Sequence, residues 1–124
     1  MKEKLFTLQE ANAALPNLRR ALDTIREVKL SLGADASLEV LWKNPGRNGG
    51  GKEGKTYLAG LEKISEQLNR ITRAGILVRD IDTGLCDFLS MRDGKKVFLC
   101  WKADEDSIGY WHETDTGFAG RQPL

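Results

Sequence analysis

The stretch GILVRDIDTGLCDFLSMRDGKKVFLCWKADEDSIGYWHE, Gly75–Glu113, decides the fold. Its apolar segments are short and are separated by Asp82-Thr83-Gly84, by Asp93-Gly94 and by an acidic run. That punctuation predicts a three- to four-stranded antiparallel β-meander over residues 76–113. Asp93-Gly94 is a two-residue hairpin turn by composition, and it sets the pairing of the strands around it. Cys86 then faces Trp101, Phe88 faces Leu99 and Ser90 faces Val97 on one side of the sheet, the stronger core candidate. On the other side Leu89 faces Phe98, and Asp87 faces Cys100. The two cysteines therefore point to opposite faces, which argues against a disulfide between them.

The earlier turn admits two registers. A two-residue turn at Thr83-Gly84 sets Asp80 against Asp87, two like charges in contact. A three-residue loop with Gly84 in the left-handed conformation sets Arg79 against Asp87 instead, and this is the register expected.

Upstream, the period changes from two to three and four. Leu8, Ala11, Leu15, Leu18, Leu22, Ile25 and Leu32 form one helical stripe, opened by the capping box Thr7–Glu10 and closed by Gly33. Pro16 lacks an amide hydrogen, so a kink or restart is expected there. Tyr57, Leu61, Ile64, Leu68 and Ile71 form a second stripe, with Thr56 as its cap and Gly75 as its stop. Arg70 and Arg73 lie in the last turn, where the helix dipole favours cations. The expectation is a single α+β domain, residues 1–124. An antiparallel helical hairpin (7–32 and 56–74) packs on the meander, with a Gly-rich connection over 34–55 and an ordered tail over 114–124. Arg19, Asp23, Arg26 and Glu27 read as charges on the wet face of the hairpin.

The totals narrow the function classes. Lys and Arg number 19 against 18 Asp and Glu, a net charge of +1. That balance offers no field for nucleic acid or an anionic membrane. No apolar run approaches the ~18 residues of a membrane span. The N-terminal MKEKLFTLQEAN lacks the apolar core of a signal peptide. Two cysteines do not make a disulfide framework. A cytoplasmic domain is expected, with no nucleic-acid or membrane partner.

Gly49–Thr56, GGGKEGKT, fits the phosphate-loop pattern G-x-x-x-x-G-K-(S/T). Such a loop works between a buried parallel strand and a helix, where amides and the helix dipole converge on phosphate. Here a helix follows Thr56, but NPGRN separates SLEVLW from the glycines, and a meander follows in place of further crossovers. Arg79 also interrupts the run before Asp80, the residue placed where a magnesium aspartate would lie. Nucleotide binding by this loop is the least supported of three functional readings.

The meander itself holds the chemistry-bearing residues. The row Arg79, Asp87, Cys100 has a simple structural account, in which Arg79 neutralises Asp87 and Cys100 is a small buried hydrophobe. His112 is the only histidine. With an even pairing offset, Tyr110 and His112 share a face with Cys100 and Phe98. The candidate cluster is Asp87, Cys100, His112, Glu113 and Arg121, with Asp115 near. Carboxylate, thiolate and imidazole bind zinc or another transition metal, and a cysteine–histidine pair can serve as a nucleophile. Asp87, Cys100 and His112 are the metal candidates, although their spacing is not diagnostic and no cofactor is called. In the tail, Phe118 is expected to close the core and Arg121 to pin the tail through a carboxylate. The functional version turns Arg121 toward the Asp87 row.

Together FTLQEANAALPNLRR, TGLCDF, VFLCW, IGYWHE and GFAGRQPL resemble the uncharacterised bacterial family known as domain of unknown function 2203. The likeness covers both ends and nearly all of the last fifty residues. Asp87, Cys100, Trp101, Trp111, His112, Glu113, Gly117, Gly120 and Arg121 match its pattern. Cys86 and Leu89 depart from its valine and proline, which argues against a shared role for Cys86. The resemblance implies a small bacterial protein and supplies no substrate.

The leading expectation is a non-catalytic interaction protein that self-associates or binds a protein partner. Helices can cover only one face of a thin meander, which leaves Leu77, Leu85, Leu89 and Phe98 as interface candidates. The alternative is a small enzyme or transition-metal protein built on the Asp/Cys/His cluster.

Overall fold

A computed structural model describes residues 3–32 and 52–124, with the backbone alone for 52–56. Two helices, α1 (Leu8–Ser31) and α2 (Lys52–Arg73), form a hairpin packed against a five-stranded sheet. The strands are β1 (Ile76–Asp80), β2 (Leu85–Arg92), β3 (Lys95–Trp101), β4 (Tyr110–Glu113) and β5 (Gln122–Pro123). They lie side by side in chain order and every pairing is antiparallel. The fold is α+β, as the sequence predicts. The strand beyond the expected four comes from the tail, whose Gln122 and Pro123 pair with Trp111 and Tyr110.

Helix α1 begins where its residues dictate. The Thr7 hydroxyl accepts from the Glu10 amide at 3.0 Å, and Glu10 accepts from the Thr7 amide at 2.9 Å. Those bonds hold the Glu10 carboxyl below its ordinary value. Ala11, Leu15, Leu18, Leu22 and Ile25 are buried as the stripe requires, while Leu8 is exposed. Pro16 does not restart the helix, which runs through it. One missing amide costs a single bond, and the buried stripe on both sides of Pro16 holds the helix on course. Gly33 lies outside the described residues.

Helix α2 is already helical at Lys52. Thr56, expected as its cap, is therefore inside the helix. Gly60 faces Leu32, where an added Cβ would come within 2.8 Å of the leucine's side chain. A glycine there lets the helices approach. The helix stops at Gly75, whose φ of +88° is the left-handed stop that glycine supplies without strain. Of the phosphate-loop residues, Gly49 lies outside the described residues. Gly54, Lys55 and Thr56 lie in helical backbone, and the sheet has no parallel pair.

The Asp93-Gly94 turn has φ of +52° and +77°, the conformation of a two-residue hairpin. All five expected β2–β3 pairs follow from it: Cys86–Trp101, Asp87–Cys100, Phe88–Leu99, Leu89–Phe98 and Ser90–Val97. The expected β3–β4 offset is present too, with Phe98 opposite His112 and Cys100 opposite Tyr110. The β1–β2 register differs from expectation. Leu77, not Arg79, lies opposite Asp87, and the register shifts between Val78 and Asp80. The Asp80 carboxylate accepts from both the amide and the hydroxyl of Thr83. That local bond lengthens the loop and places a bulge at Arg79. Gly84 does take the left-handed conformation, φ +71°.

The helices cover the face bearing Cys86, Phe88, Leu99 and Trp101, which joins Leu15, Leu18, Leu22 and Ile25 in one core. Phe6 closes its end, edge-on to Phe88 at 5.2 Å. Arg19 is not a solvated charge. It donates to the carbonyls of Ala103 and Glu105 and lies 4.9 Å from the Trp101 ring, so it latches the β3–β4 loop to α1. Asn12 adds a second latch by accepting from the Ile108 amide at 2.8 Å.

Candidate functional site

Asp87 on β2, Cys100 on β3 and His112 on β4 occupy successive strands on the face away from the helices. Alternation requires this, because Phe88, Leu99 and Trp111 next to them turn toward the core side. All three are buried, and their ligand-type atoms lie within 4.8 Å of one another. His112 Nε2 is 3.0 Å from Asp87 Oδ1, and Nδ1 is 2.8 Å from the Glu113 carbonyl. A carbonyl only accepts, so Nδ1 carries a hydrogen. Nε2 in turn faces the Asp87 carboxylate. Asp87 Oδ2 accepts from Arg79 Nε at 3.0 Å. The bulge thus removes Arg79 from the facing position yet leaves its side chain on the carboxylate.

Cys100 is fully buried. Burial pushes its thiol up to about 11 and the Asp87 carboxylate adds to this, while the Arg121 guanidinium opposes them. Cys86, on the core face, is pushed up to about 12, first by burial. Both thiols are free.

Glu113 and Arg121 do not join the cluster in the same way. The Glu113 side chain turns to the opposite face and accepts from Lys95 at 3.1 Å, so only its carbonyl serves His112. Arg121 donates to Glu105 Oε1 at 2.6 Å and to the Cys100 carbonyl at 3.1 Å. It also lies against the Tyr110 and Phe118 rings, at 4.1 and 4.7 Å. This is the expected pin for the tail, with Glu105 as the carboxylate. Burial pushes the Glu105 carboxyl up, but bonds from Arg121 and the Lys102 amide outweigh it and hold it below its ordinary value.

Phe118 does not close the core and is 45 % exposed. With Thr116 and Gly117 it instead walls a pocket of about 330 Å³ whose floor is Asp87, Cys100 and His112 and whose rim includes Arg79 and Leu85. Alternation gives no sign of this wall, because it comes from a tail without periodicity. Glu105 was also missed, for the same kind of reason. Its partners Arg19, Trp101 and Arg121 are remote from one another in sequence, and only the folded loop brings them together. A larger groove of about 540 Å³ runs between the helices, but its arginines, Arg20 and Arg70, bond Asn17 and Glu66 on their own helices.

Residues 4–124 match a family described as an uncharacterized conserved protein, DUF2203. The chain belongs to the DUF2203 family. The match takes in both helices, the whole sheet and every residue of the Asp87–Cys100–His112 cluster. No curated protein and no solved structure matches the chain. Among the described residues, no helix is long and apolar enough to cross a membrane.

Proposed function

We propose that this chain is a small non-catalytic protein of the bacterial cytoplasm that self-associates through the open face of its sheet. The observation that carries the reading is the apolar strip beside the cluster. Leu77 is 39 % exposed, Leu85, Leu89 and Phe98 are half-buried, and a groove of about 670 Å³ crosses Leu77, Leu89 and Phe98. A second copy is favoured over a charged partner because three cations of this face are already ion-paired, and Lys4 on the groove lies over the Phe6 ring. Arg79 bonds Asp87, Lys96 bonds Glu3 and Arg121 bonds Glu105. A near-neutral, apolar face neither repels its own copy nor selects an acidic or basic surface, and a two-fold axis presents the same patch twice. The cluster's own chemistry points the same way. The Cys100 thiol is held protonated, and His112 Nε2 faces Asp87 in place of activating a nucleophile.

Sedimentation equilibrium tests this. The wild type is expected to be a dimer, and Phe98→Asp a folded monomer. Leu30→Asp, an exposed change on α1, is expected to remain dimeric. A wild type that is monomeric at every accessible concentration, or a dimer that survives Phe98→Asp, would overturn the proposal.

A further inference from the structure

We propose that Asp87, Cys100 and His112 form a site for one divalent transition-metal ion of the zinc class, with its open coordination position facing the pocket beneath Phe118. This goes beyond self-association and does not depend on it. Three observations carry it. The first is the donor set. One carboxylate oxygen, one sulfur and one imidazole nitrogen, all buried, lie within 4.8 Å of one another. A tetrahedral centre with bonds of about 2.0–2.3 Å sets its ligands ~3.2–3.8 Å apart. The 3.0 Å between Nε2 and Oδ1 is already close to that spacing, so small side-chain rotations complete it. Sulfur and imidazole select zinc, cobalt or their neighbours over magnesium and calcium.

The second observation is the support around those donors. His112 Nδ1–H donates to the Glu113 carbonyl, which fixes the ring so that Nε2 faces the site. Metal-binding histidines are held in this way, and ligating carboxylates are in turn hydrogen-bonded. Here Arg79 holds the outer oxygen of Asp87. The third is access. The three donors floor a pocket of about 330 Å³, which supplies an entry path and room for a water or a small ligand as the fourth group.

The test is a cobalt(II) titration of the full chain after chelator treatment, followed by absorption and then by competition with zinc. One equivalent is expected to produce the intense visible bands of a tetrahedral site and a near-ultraviolet thiolate-to-cobalt band, both erased by zinc. Cys86→Ser is expected to leave the spectrum intact, because that thiol lies on the other face. Cys100→Ser is expected to abolish the thiolate band. Asp87→Asn is expected to weaken binding beyond the ~10–100-fold that loss of a group hydrogen-bonded to a ligand costs. X-ray absorption on the zinc-loaded wild type needs no variant, and one sulfur neighbour at about 2.3 Å with lighter atoms at about 2.0 Å is expected. No saturable binding by folded wild type, a thiolate band that persists in Cys100→Ser, or a zinc shell without sulfur would each overturn the proposal.

Discussion

The two faces of strand β2 are one residue apart in sequence and differ in kind. Cys86 and Phe88 turn into a continuous apolar core against α1. Asp87, between them, turns outward into a buried polar cluster with His112, Arg79 and Cys100. On the first face, hydrophobic burial supplies the stability and the order of the chain. On the second, burial comes partly from a tail segment that returns over the sheet, and each polar group needs a partner. The two cysteines are internal reporters of that difference. They have similar burial and both feel the Asp87 charge, but only Cys100 lines a pocket with the imidazole within reach.

The comparison is tested first where its effect is greatest. Trp101→Ala removes a fully buried ring and is expected to cost about 3–5 kcal/mol in a urea melt. Phe98→Ala, three residues earlier on β3 and on the open face, is expected to cost under about 1.5 kcal/mol. Equal costs would mean that the open face is as well packed as the core. Next, Asp87→Ala leaves Arg79 and His112 without their acceptor and is expected to cost about 2–3 kcal/mol, less than a fully buried ion pair because Arg79 is half exposed. A cost near zero would make the cluster incidental to folding.

A smaller effect distinguishes the tail from the core. The Glu105 carboxyl lies below its ordinary value of 4.5 in the folded chain. The unfolded chain therefore binds more protons near that value, so Glu105 stabilises the fold above it. This contribution is lost as the pH falls through the lower folded value. Melts of wild type are expected to weaken more steeply than those of Glu105→Gln as the pH drops below about 4.5. Parallel curves would show that the Arg121–Glu105 pin contributes nothing. The smallest expected difference is in thiol labelling. Both cysteines react slowly because both thiols are held protonated, and Cys100, beside the pocket, is expected to label faster than Cys86. Faster labelling of Cys86 would reverse the assignment of faces.

Much of this was legible in the residues. Asp93-Gly94 is a turn with one preferred geometry, so it fixed the β2–β3 register and with it the Asp87–Cys100 pair. The period-two alternation of VFLCW and YWHE then placed His112 on the same face. What could not be read depended on competition between local and distant bonds. Asp80 could pair across the hairpin or cap Thr83. It took Thr83, and the bulge took Arg79 out of register with Asp87, which faces Leu77 instead. Arg19 has the spacing of a wet-face residue, and only the folded loop offers it three carbonyls. Adjacency puts Glu113 beside His112, whereas alternation sends its side chain to Lys95. Phe118 has the composition of a core anchor, but a tail without periodicity gives no sign of which face it will cover.

The central claim is that the open face holds a built cluster in which His112 is oriented by Glu113 and directed at Asp87. The chain has a single histidine, so a long-range nitrogen–proton correlation spectrum reads that ring without ambiguity. The expected result is a protonated Nδ1 in slow exchange with solvent, held by its hydrogen bond to the Glu113 carbonyl. An unprotonated Nδ1, with the hydrogen on Nε2 alone, would contradict the orientation and the site built on it.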